Sequence, residues 1–184
     1  MTKSTKVLAI AGLVAGVGAV AALPAAGHAS ESATTDITAT INETLSITAT
    51  SAVSGTLTNG GAVTELKDTG SASGNVNVKT NHQNGYTLSA KGTGTADNKT
   101  SLINANSATI AYGNPAVNAS AWGMFVNTSE TPFALTAADQ EIDRQSTPTT
   151  TDGRNTATVY KASAASNQAA GTYTGQVTFT AAVL

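Results

Sequence analysis

From Ile37 to the carboxyl end, the chain is written in short runs that alternate apolar and polar residues and break at Gly- and Asn-rich turns. Period two puts every apolar side chain of a run on one face of a strand, whereas a helix needs a period near 3.6. The first run carries Ile37, Ala39 and Ile41, then Leu45, Ile47 and Ala49, with Thr, Asn and Ser between them. Asn75 to Thr80 alternates around Val76 and Val78, and Tyr86 to Ala90 through Tyr86, Leu88 and Ala90. The Asn81 to Gly85 linker between these two predicts a β-hairpin. Further strands are predicted at Thr56 to Thr58, Ala62 to Leu66, Ala108 to Tyr112, Ala121 to Val126, Phe133 to Leu135, Thr156 to Ala162 and Thr172 to Val183.

Only Thr136 to Asp143 (TAADQEID) has helical character, with a Thr cap followed by Ala and acids. Parallel strands need long crossovers, usually helices, and no such segment appears. The expected fold is therefore all-β: an immunoglobulin-like antiparallel two-sheet β-sandwich of about seven to nine strands after an N-terminal signal helix.

The amino terminus has a different logic. Lys3 and Lys6 precede an uncharged run from Val7 to Leu23, Pro24 ends it, and Gly27-His28-Ala29 supplies small residues for a peptidase. Cation, apolar core and small-residue site together read as a secretory signal, cut between Ala29 and Ser30. The expected organisation is a signal peptide over 1–29, a flexible leader over 30–35 and a β-sandwich domain over 36–184. No later stretch is apolar enough to span a bilayer. Membrane contact is thus expected only through the signal peptide before cleavage, and the product is expected to be secreted or held at the cell surface.

Charge and cysteine content narrow the chemistry. The chain has no Cys, so disulfides, thiolate catalysis and zinc-cysteine sites are excluded. Acids outnumber bases 11 to 9, and the bases form no stripe. Phosphate affinity is built from clustered Lys and Arg, so nucleic acid is not an expected partner.

Three passages carry a resemblance: Thr80-Asn81 leading to Gly85-Tyr86-Thr87-Leu88-Ser89; Trp122-Gly123; and Ala157 to Lys161 (ATVYK) followed by Gly171-Thr172-Tyr173-Thr174 and Val177-Thr178-Phe179-Thr180. In this order they resemble small, uncharacterised secreted β-sandwich surface proteins of Gram-positive and candidate-phylum bacteria. They are distantly similar to WxL-type wall domains, although Trp122 is followed here by Gly123 and Met124. The alternating last strand behind Gly171 also resembles fimbrial subunits that assemble by strand donation. That likeness implies self-association through the terminal strands, with Ile37, Ala39 and Ile41 as the donated segment. The fimbrial disulfide has no counterpart.

Candidate sites are few. Asp139, Glu141 and Asp143 alternate along one acidic stretch and are the residues most able to offer oxygen ligands to calcium, against the alternative of a solvated acidic turn. Trp122 and Tyr86 are aromatic candidates, either filling the core or forming a binding platform. His82 lies in the Asn81 to Gly85 turn and is expected to be exposed. No nucleophile, base and orienting group converge, so no catalytic residue, cofactor or enzyme activity is expected. The reading is a non-enzymatic structural or adhesive surface protein whose partner is a surface protein or a cell-wall glycan. A strand-exchanging pilus-type subunit and an extracellular glycan-binding module are the alternatives.

Overall fold

A computed structural model describes residues 34–68 and 73–184. The signal segment, the Ala29–Ser30 junction and the start of the leader lie outside the described residues. The chain divides into two units at Thr40/Ile41. The described part of the first, residues 34–40, carries no strand and is exposed.

Among the described residues the second unit, Ile41–Leu184, holds ten strands: β1 (Leu45–Ala49), β2 (Thr64–Leu66), β3 (Gly74–Thr80), β4 (Tyr86–Gly92), β5 (Leu102–Ile103), β6 (Thr109–Tyr112), β7 (Ala121–Val126), β8 (Gln140–Gln145), β9 (Arg154–Ser163) and β10 (Val177–Val183). They form a seven-stranded sheet in the order β1-β3-β9-β7-β6-β5, with β2 also on β9, and a three-stranded sheet in the order β10-β4-β8. The long β9 is the spine of the larger sheet: its first half pairs β3, its second half pairs β2, and β7 runs along its other side.

The core joins the two sheets. Val76 and Val78 of β3 meet Tyr86 and Leu88 of β4. Trp122 and Met124 of β7 and Tyr160 and Ala162 of β9 cluster with Ala90 of β4, and Phe179 of β10 packs against both groups. The strict alternation of burial along β3 and β4 follows from the pleat, which sends successive side chains to opposite faces. Each fully buried Val or Leu contributes about 1.5–3 kcal/mol relative to exposure.

Several sequence expectations are corrected. The expected β3–β4 hairpin does not form, because the two strands belong to different sheets. The Asn81–Gly85 linker carries the chain across the core, so that the apolar faces of β3 and β4 meet in place of their backbones. Gly85 makes this corner: its φ is +76°, its N–H donates to the His82 carbonyl (2.9 Å), and a Cβ there would collide with the Gln145 carbonyl.

The expected helical stretch at Thr136–Asp143 ends in strand β8. Ile142 needs the core and Asp143 needs partners across it, and these contacts override the local helical bias. Among the described residues the strand count is ten, above the expected seven to nine, with β5 and β8 forming where no strand was expected. Pairing is not wholly antiparallel: β6 and β7 run parallel over two residue pairs, Ala111↔Ala121 and Tyr112↔Trp122. So short a match needs no helical crossover. The loop reverses with Asn118 at φ +57°.

Thr56–Thr58 and Phe133–Leu135 are not strands, and β10 starts at Val177, with only a single bridge at Thr174 before it. Ile37 to Asn42 alternates like a strand, but among the described residues no strand pairs with it, and pairing begins at Leu45. Among the described residues no helix is long and apolar enough to cross a membrane.

Candidate binding cleft

The acidic candidates separate. A register shift in the β4–β8 pairing, from Leu88↔Asp143 to Ser89↔Glu141, makes Ile142 the extra residue of a β-bulge. Glu141 and Asp143 are thereby turned to different partners. Asp139 binds Lys91 Nζ at 3.0 Å, and Glu141 takes Arg144 at 3.3 Å. Asp143 turns inward and accepts two hydrogen bonds from Arg154 (2.8 and 2.9 Å), one from the Tyr86 hydroxyl (2.9 Å) and one from Thr156 Oγ1 (3.2 Å). Among the described residues no three His, Asp or Glu side chains come together to hold a metal ion.

The Asp143 network links both sheets, because Tyr86 and Asp143 belong to the small sheet and Arg154 and Thr156 to the large one. Burial pushes the Asp143 carboxyl upward, but the hydrogen bonds from Arg154 and Tyr86 outweigh it and hold the group below its ordinary range. The Tyr86 hydroxyl is pushed up, first by burial and then by its bond to the carboxylate. This arrangement fixes one sheet to the other and commits the Asp143 carboxylate, with three bonds on Oδ2 and one on Oδ1, to protein partners.

Tyr86 is fully buried, and Trp122 is buried as well. The Trp122 indole N–H donates to the Thr100 carbonyl (2.9 Å), and its ring meets Tyr112 edge-on at 4.8 Å between centroids. His82 is half-buried in its turn, not exposed as expected, with Nδ1 enclosed and without a protein partner.

What the structure adds is a cleft of about 830 Å³. Its lining includes Ile110, Trp122, Tyr160 and Ala162 from the larger sheet, Val53, Leu57 and Leu66 from and beside the segment after β1, and Tyr173, Val177 and Phe179 from the chain entering and forming β10. Among the described residues no lining residue is charged. The Tyr173 edge is held in place: its hydroxyl donates to the Ala169 carbonyl (2.7 Å) and accepts from Gln168 Nε2 (2.6 Å), while Asn59 Nδ2 donates to the Gln168 carbonyl (2.8 Å).

β10 ends the smaller sheet. It pairs β4 along its whole length and, among the described residues, no strand on its other side. The cleft thus borders a row of free backbone N–H and C=O groups. Apolar contact and backbone pairing are what such a place offers an extended chain. Sequence reading missed it because Val53 and Leu57 lie in chain that forms no strand, although one was expected at Thr56 to Thr58, and alternation does not report walls of that kind.

The fold and cleft define, among the described residues, an all-β, two-sheet arrangement with an apolar cleft beside the β10 edge. No protein-family model, curated protein or solved structure matches the chain.

Proposed function

We propose that this chain is an exported, non-enzymatic structural or adhesive protein of the cell surface, built as an immunoglobulin-like sandwich, and that it works by holding an extended partner along β10. The observation that carries this reading is the uncharged cleft beside the unpaired β10 edge. A surface of that kind recognises shape and backbone, which suits durable attachment. Among the described residues its lining offers tyrosine hydroxyls and no carboxylate, amine or imidazole to move a proton at neutral pH.

Secretion rests on the Lys3 to Ala29 pattern. The test is retention on isolated cell-surface material by the exported chain and by Thr56→Arg, which puts a charge at an exposed position on the cleft wall. Retention by the unaltered chain that Thr56→Arg abolishes, with unchanged thermal stability, is the expected result. Equal retention of both removes the cleft from the account.

A further inference from the structure

We infer that the occupant of the β10 edge is the β10 edge of a second copy of this chain, paired antiparallel about a two-fold axis at Thr180; the inference rests on the reading of that edge as a partner site. Backbone phase is the first observation. The Gln176 carbonyl accepts from the Thr93 N–H (3.0 Å) before β10, and the Leu184 N–H donates to the Gly85 carbonyl (3.3 Å) after it, both in register with the β10–β4 pairing. Hydrogen-bonded and non-hydrogen-bonded pairs alternate along an antiparallel ladder, so Thr178, Thr180 and Ala182 turn their backbone groups to β4. Val177, Phe179, Ala181 and Val183 turn theirs to the side where, among the described residues, no strand lies. Val177, Phe179 and Ala181 also send their side chains to the core.

The second observation is that this edge is unguarded. Folded proteins blunt sheet edges with charge, Pro, bulges or very short strands. β8, at the other end of the same sheet, carries Glu141 and Arg144 and is bulged against β4. β5, at one end of the larger sheet, has two residues. β10 uses none of these devices: its seven residues hold no charge and no Pro, and its pairing with β4 has no register shift. Beside it lies β1, also uncharged, with Leu45 and Ile47 exposed, as is Val183 of β10 itself.

The third is that the edge complements itself. A two-fold contact sets a surface against its own copy, so a charge near the axis meets its like and is repelled; β10 and β1 bring none. With Thr180 opposite Thr180, Phe179 meets Ala181 and Val177 meets Val183, so the largest side chain faces a small one. Directly opposed residues share a face, and here that face is the apolar inner one. The residues with free backbone groups form the hydrogen-bonded pairs, and the two small sheets run on as one. Such a contact is isologous and closes at a dimer.

The test uses the exported chain by sedimentation over a range of concentrations, beside Thr180→Lys and Thr180→Glu, which change an exposed position. The expected result is a monomer–dimer equilibrium, weakened about tenfold or more in each variant by the like charges meeting at the axis, with the circular dichroism unchanged. An equal mixture of the two variants should regain dimer. The absence of native cysteine allows a second measurement. Opposed Thr180 residues form a non-hydrogen-bonded pair with Cα atoms about 4.5 Å apart, within disulfide reach, so Thr180→Cys should cross-link on mild oxidation. Thr178→Cys should not, because its copies lie about 13 Å apart along the strands. A monomer at every concentration, growth past a dimer, association that ignores the charges at 180, or a mixture that stays monomeric overturns the inference. Loss of surface retention in Thr56→Arg with a strictly monomeric parent would defeat self-pairing alone and leave the partner site standing.

Discussion

Replacing Asp143 by Ala removes the acceptor of four hydrogen bonds that tie the two sheets beside the Arg154–Gln145 contact, and its cost can be worked from the geometry. The Tyr86 and Thr156 hydroxyls, both on fully buried residues, lose the carboxylate. Each enclosed hydroxyl left unpaired costs about 1–2 kcal/mol. Arg154 loses a two-pronged ion pair, but its side chain is 47% exposed against 9% for Asp143, so water replaces much of what it gives up and this part is worth only about 0.5 kcal/mol. The expected loss is about 3 kcal/mol, a large share of the ~5–15 kcal/mol that holds a domain folded.

Asp143→Asn keeps an acceptor and the shape but loses the charge, and should cost about half as much. Urea unfolding followed by circular dichroism at neutral pH measures both. The pH dependence follows from the sign. The folded carboxyl sits below its ordinary value, so its contribution is complete above about pH 4 and disappears as pH falls through the lower folded value. The gap between the native chain and Asp143→Asn should therefore close in acid. A loss below about 1 kcal/mol in Asp143→Ala, or a gap independent of pH, would refute the role given to the network.

Gly85→Ala forces a Cβ into a left-handed corner already occupied by the Gln145 carbonyl, and should cost about 2 kcal/mol or more in chemical unfolding. Trp122→Ala empties a packed site and should cost about 3–5 kcal/mol, whereas Trp122→Phe should cost clearly less; equal Tm values for the native chain and Trp122→Ala would contradict its place in the core. Tyr86, Tyr112 and Tyr160 all have hydroxyls raised chiefly by burial, so stability should fall as pH rises past about 10, with their ionisation, read by ultraviolet absorbance, appearing together with unfolding.

The strands were legible in the sequence wherever an apolar face is buried: Val76 and Val78, or Tyr86 and Leu88, announce themselves by alternation. Which strands pair was not. A five-residue Asn/Gly linker serves a hairpin or a crossing between sheets equally well, and only the partners of β3 and β4 decide. The acidic stretch before Arg144 misled for a related reason: its local helical bias is smaller than the pull of Ile142 and Asp143 toward the core. At Ile37 to Ile41 the pattern is that of a strand, yet the described residues supply no strand to pair with it. The cleft was illegible because its walls come from chain without period and from a free edge, which is a property of the assembled sheet.

Amide hydrogen exchange along Val177–Val183 tests the central claim most directly, because alternate residues there turn their N–H and C=O to β4 and the others turn theirs to the side without a strand among the described residues. Measured on the dilute chain and again on the self-associated or surface-held chain, the amides on the free side of β10 should become strongly protected while those already bonded to β4 change little. Unchanged exchange on the free side, in a chain shown to be associated or retained, would contradict the claim that this edge is where the protein holds its partner.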